Sequence, residues 1–190
     1  LAFLREAASA VHHARQPIEP VPRDGDLPLS FAQQRLWFFD QMVPDSAAYN
    51  LSSAVRLTGN LDISALQKTL DELVQRHETL RTTFPDELGQ PKQRIHPPQP
   101  QPLPVVDLSS LNAEERERQA RERASAEAAE PFDLANGPLF RTQLLRLNEA
   151  DHVFLMSMHH IISDGWSMGV VMQELGTLYH SFSAGGESPL

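Results

Sequence analysis

His159-His160-Ile161-Ile162-Ser163-Asp164-Gly165 brings together the residue types best suited to proton chemistry in this chain. Histidine changes charge near neutral pH, so a positioned imidazole can take a proton from a nucleophile or return one to a leaving group. The run sits where an apolar, strand-like segment, HVFLMSMHHII, meets a helical pattern. In an extended strand successive side chains alternate faces, so His159 and His160 point opposite ways. His159 then reads as a packed strand histidine, and His160 stays open between a catalytic and a structural role. The divergence argues against one metal ion held by both. His160 and Asp164 could share an ion across a helical turn, but no third ligand stands nearby, and catalytic zinc usually takes three protein ligands. Asp164 itself sits at a helix start. It reads either as the cap of the exposed amides or as half of a buried ion pair with an arginine.

A second constellation is RHETLRTTF, residues 76–84. His77 lies on an apolar helical stripe and reads as a satisfied core histidine. Arg76 and Arg81 flank that stripe and read as surface arginines. Arg76 could instead reach inward to Asp164, because a guanidinium fork matches a carboxylate. Trp37 and Phe38 read as core anchors. His12, His13, His96, His152 and His180 have no partner suggested by spacing.

The elements that must position these residues follow from periodicity. Residues 1–14 read as a short helix with Leu1, Leu4, Ala8 and Val11 on one stripe. RQPIEPVPRDGDLP follows, and its proline density predicts an extended linker over residues 15–27. Ser30 is a plausible N-cap for a helix running to Met42. YNLSSAVRLTG alternates at Tyr49, Leu51, Ser53, Val55 and Leu57 and predicts a strand. Gly59-Asn60 turns the chain, and Asp62 caps a helix carrying Ile63, Leu66, Leu70, Leu73, His77 and Leu80 at 3-4-3-4-3 spacing. Strands are expected at 82–84 and 92–95 around a Pro85–Gly89 turn, followed by a Pro- and Gln-rich PPQPQPLP connection that leads to VVDLSS. Residues 112–130 predict a solvated surface helix supported by Glu114–Arg118 and Glu117–Arg121 pairs. PFDLANGPLF is turn-rich, FRTQLLRL is a strand, and Met168, Val171, Leu175, Leu178 and Phe182 mark a last helix before an irregular SAGGESPL. Strands and helices mixed with long connections define an α/β (α+β) class with a mixed sheet.

Composition narrows the function classes. The 190 residues are 41% hydrophobic, enough for a globular core. A net charge of −9 argues against a nucleic-acid-binding surface, which needs a basic face. No apolar run approaches the ~20 residues that cross a bilayer. The absence of cysteine removes disulfide and thiolate chemistry, and LAFLREAASAVHHA makes a poor secretory signal because no basic stretch precedes an apolar core, so a cytoplasmic protein is expected.

LSFAQQRLWF at 29–38, RHETLRTTF at 76–84 and MHHIISDGWS at 158–167 stand in the order of three motifs of the condensation domain of nonribosomal peptide synthetases, and PFDLANGPLF at 131–140 is also typical of it. The chain resembles that family over roughly Leu27 to Ser183. The SFAQQRLWF opening and the IISDGWS ending resemble the subtype that accepts an L-configured donor. The resemblance implies one chloramphenicol-acetyltransferase-like lobe, a mixed sheet flanked by helices, forming half of a two-lobe domain. It implies that an aminoacyl or peptidyl thioester is joined to the amine of an aminoacyl thioester, both delivered on phosphopantetheine arms by upstream and downstream carrier domains. No cofactor or metal is expected to bind the lobe directly, and neighbouring synthetase modules and a C-terminal lobe are its expected partners. By motif position His160 is the catalytic residue and His159 its supporting neighbour. Asp164 is structural and paired with Arg76, Arg81 supports the same region, and Gly165 leaves room for the acyl group beside a channel. Residues 1–14 then read as the last helix of a carrier domain, 15–27 as linker, and 28–190 as the N-terminal lobe, expected to have little or no activity alone. The competing expectations are a carrier-docking or interaction module without catalysis, and an epimerising or cyclising member of the same superfamily.

Overall fold

A computed structural model describes residues 21–23 and 25–190. The expected helix at 1–14 and most of the 15–27 linker lie outside the described residues.

The chain enters through a two-residue strand, β1 (Leu27–Pro28), and the helix α1 (Phe31–Met42). Ser30 caps α1 in a full capping box: its side chain accepts from Gln33 N, and the Gln33 side chain accepts from Ser30 N. Next come β2 (Asn50–Thr58) and α2 (Ile63–Arg76), with Asp62 accepting from Ala65 N at the helix start. A 3-10 turn (Glu78–Arg81) leads to β3 (Thr82–Thr83), β4 (Asp86–Glu87) and β5 (Gln90–Ile95). The rest is β6 (Val105–Asp107), α3 (Ala113–Ala129), β7 (Phe140–Asn148), β8 (Asp151–His159) and α4 (Gly165–Ser183).

The main sheet has the order β2-β8-β7-β6; β6 runs parallel to β7 and the other pairs are antiparallel. A smaller sheet gathers β1, β3 and β4 around β5. The mixed sheet flanked by helices is the architecture expected from sequence. The main sheet is covered on both faces, as a near-continuous apolar strand such as β8 requires. Phe154, Met156 and Met158 enter the large core with Leu66, Leu70 and Leu73 of α2 and Val171 and Leu178 of α4. Val153 and Leu155 turn the other way, into a smaller core with Leu145, Leu147 and Ala120 of α3.

Several local expectations need correction. None of α1's residues is fully buried: Trp37 packs against the core from a partly buried position, while Phe38 is 56% exposed and anchors nothing. Phe31, Phe39, Met42 and Val43 are exposed with it. On α3, Arg118 bonds Glu115 and Glu122 in place of Glu114, and Glu117 is taken by Arg56 of β2. A cross-element arginine outcompeted the simple i,i+4 rule. α2 ends one residue short of His77, which becomes the helix C-cap because Leu80 belongs to the following 3-10 turn.

Candidate active site

The two histidines separate at the end of β8. His159 is the last strand residue, opposite Asn50 of β2, and is 2% exposed. Its ring packs edge-on against Tyr49 and Phe132, with centroids at 6.2 and 6.1 Å. Behind Phe132 the Arg141 guanidinium stacks at 3.7 Å from the ring centroid and bonds Glu127 and the Glu130 and Pro131 carbonyls, closing the box. Burial, with the neighbouring His160 charge, pushes the His159 imidazolium down to about 4, so His159 is neutral at physiological pH.

His160 begins the turn to α4 and is exposed. The Tyr49 carbonyl accepts from its backbone N–H at 2.8 Å, tying the turn back to the start of β2. Alternation survives the end of the strand: one ring is enclosed and the other faces out.

Their hydrogen bonds set opposite tautomers. The backbone N–H of Ile161 can only donate, and it lies 3.1 Å from His159 Nδ1. His159 Nδ1 is therefore the acceptor, and the neutral ring carries its hydrogen on Nε2. The Ser163 carbonyl can only accept, and it lies 2.7 Å from His160 Nδ1. His160 therefore donates from Nδ1, and in the neutral ring its Nε2 keeps a free lone pair. That is the arrangement a base or a hydrogen-bond acceptor for an N–H requires.

Asp164 is the N-cap of α4, and its Oδ1 accepts from Ser167 N at 2.8 Å and from the Ser167 hydroxyl at 2.6 Å. The Ser167 hydroxyl, with backbone N–H donors, holds its carboxyl below the usual carboxylate range. The expected Arg76–Asp164 pair is not formed. Arg76 Nε donates to Glu174 Oε1 at 3.3 Å, and Asp164 is exposed at the helix start, where free amides offer donors at no cost of desolvation. Arg81 bonds the Val74 and His96 carbonyls and so staples the end of α2 to the strand β5 exit. His96, for which the sequence suggested no partner, bonds the Thr83 hydroxyl. Gly165 opens α4, and a Cβ built there meets nothing within 4 Å. Nothing among the described residues demands glycine at that position.

A cavity of about 190 Å³ lies beside this turn, walled by Leu80, Met158, Ile162 and Val170, with His77, Ser163 and Ser167 as polar contributors. Trp166 stands at its rim, 83% exposed. Among the described residues no three His, Asp or Glu side chains converge as metal ligands would. Sequence reading missed the Tyr49 and Ser163 carbonyls, because backbone acceptors carry no residue-type signal. It also missed Glu174, which occurs as one more polar residue on an amphipathic helix.

Fold and turn together define a lobe that presents one histidine from a strand-to-helix corner. The Condensation domain family model matches residues 23–190, and the chain belongs to that family. A linear gramicidin synthase of Brevibacillus parabrevis is 53% identical over 168 residues, which cover 88% of this chain and 2% of that protein. The starter condensation domain of rhizomide synthetase RzmA superposes with a TM-score of 0.80 at 27% identity, over 87% of this chain and 41% of that one. The X-domain from teicoplanin biosynthesis, solved in complex with OxyB, superposes at 0.82 with 31% identity, over 93% and 37%. The chain thus spans a small fraction of the synthetase it matches and about two fifths of the solved chains.

Proposed function

We propose that this lobe supplies the reacting histidine for amide formation between a carrier-bound aminoacyl or peptidyl thioester and a carrier-bound aminoacyl amine. The observation that carries this reading is the His160 Nδ1–Ser163 carbonyl bond, which leaves Nε2 as an acceptor on the exposed side of the turn. The amine nitrogen attacks the thioester carbonyl, the C–N bond forms, the C–S bond breaks, and the amine proton passes to the departing sulfur. His160 Nε2 accepts that amine hydrogen, as a hydrogen bond or as a proton, and no enzyme nucleophile is needed. His159 fixes the strand end, Asp164 caps the helix that follows, and Arg81 braces the segment beneath. Both phosphopantetheine arms come from carrier domains, and a second lobe completes the channel between them. Membership of the family and identity above one half to a gramicidin synthase support the reaction class. An L-configured donor is part of the same reading.

A second reading, a docking module without chemistry, draws on the apolar exposed face of α1 and on likeness to an X-domain solved with a protein partner. A fold alone does not separate the two. His160→Ala in the complete synthetase does. The first reading predicts product formation reduced by about 10²–10⁴-fold with carrier loading intact, the range of a lost acid–base group. Undiminished product contradicts it and leaves the docking role.

A further inference from the structure

Glu174 is the half-buried acid that neither the motifs nor the turn explains. It lies on α4, seven residues after Ser167, on the helix stripe that also carries Ser167, Val170 and Val171. Its side chain is 14% exposed, and its two oxygens are both engaged. Oε2 lies 2.5 Å from His77 Nε2, and Oε1 accepts from Arg76 Nε at 3.3 Å. A carboxylate in this setting is held by these partners, and removing one leaves a costly unpaired charge.

The clamp has a particular place. His77 caps α2 and also lines the 190 Å³ cavity, whose other wall is Ser163, Ser167 and Val170. Thr79 and Leu80 line the same void as Ser167 and Val170 of the first turns of α4, while Leu80, Ile162 and Val171 belong to the large core. α2 and α4 meet through apolar packing and two polar contacts: Asp62 N donates to Tyr179 Oη at 3.0 Å, and Glu174, the one nearer the start of α4, holds His77 and Arg76. Ser163, whose carbonyl orients His160, sits at the end of this lever.

We propose that Glu174 is a positioning residue for His160. Through His77 and Arg76 it sets the first turn of α4, and with it the Ser163 carbonyl that keeps the hydrogen on His160 Nδ1. The proposal deepens the reading of His160 as the reacting histidine and rests on it.

Long-range ¹H–¹⁵N spectra of the histidine rings test it in the full chain, with His160 assigned by His160→Gln. Glu174→Ala and His77→Ala should each move the His160 nitrogens from the Nδ1–H pattern towards the average of both tautomers, while the buried His159 ring keeps its pattern. Glu174→Gln, which retains an oxygen acceptor, should keep the wild-type His160 pattern. In the complete synthetase the two alanine variants should lower kcat by up to about a hundredfold with KM unchanged, as expected for a misplaced catalytic group. Unshifted His160 signals in either folded alanine variant overturn the proposal. So does failure of both to fold, which would make the clamp a support of the whole lobe. A His160→Ala synthetase with full activity would defeat the catalytic reading separately, since the ring response to Glu174→Ala is read without any turnover.

Discussion

His159 and His160 are chemically identical side chains given different jobs by one peptide bond. His159 loses water on every side, packing between Tyr49 and Phe132, and is pushed down to about 4. Its unfolded value is near 6.5, so the unfolded chain binds the proton first as pH falls. The stability that the neutral ring contributes is present above pH ~6.5 and is lost as pH falls from there towards 4, by on the order of 3 kcal/mol in total. Chemical denaturation at a series of pH values should show this loss in the wild type. His159→Phe should flatten the curve between those limits, and an unchanged slope would show that His159 is not the group titrating. Asp164 teaches a related lesson. Its sequence position allowed either a cap or an ion pair, and the helix amides of Ser167 won because they need no second charge brought out of water.

At the scale of elements, burial rather than residue type decides what holds the lobe together. Leu70 of α2 is fully enclosed, and Leu70→Ala should cost about 2–5 kcal/mol in equilibrium unfolding. Phe38 of α1 is the larger residue, yet Phe38→Ser should change stability by no more than about 0.5 kcal/mol, because its ring already faces water. A large loss at Phe38 would mean that α1 packs more deeply than the structure shows. The helices α1, α2 and α4 were legible from caps or periodicity, with Ser30, Asp62 and Asp164 each at an N-cap, and α3 from its run of Ala, Glu and Arg. β2, β7 and β8 were legible from alternation or continuous apolarity. What periodicity could not convey was which apolar stripe has a partner. α1 carries Phe31, Phe38 and Phe39 like a core helix and leaves them exposed. β4 also went unseen, since two residues inside a Pro85–Gly89 turn are too short to show a period.

At the scale of the whole molecule, the sheet order places β8 between β2 and β7, so the strand that delivers the histidines is held from both sides. The Tyr49 carbonyl from the start of β2 and the Leu139 carbonyl before β7 bond the backbones of His160 and His159. Those contacts join segments about 20 to 110 residues apart in the chain, which is why the motif was readable and its geometry was not. The side-chain pattern exposed the division between one enclosed and one outward histidine. The tautomers depend on the Ile161 N–H and Ser163 carbonyl, and only the folded turn places these. The role proposed for His160 rests on its own tautomer, because a histidine that takes the amine hydrogen needs an unprotonated Nε2. Ring ¹⁵N spectra of the wild-type chain near neutral pH measure it directly. The structure predicts hydrogen on Nδ1 of His160 and on Nε2 of His159; hydrogen on His160 Nε2 would remove the acceptor and contradict the assignment of His160 as the reacting group.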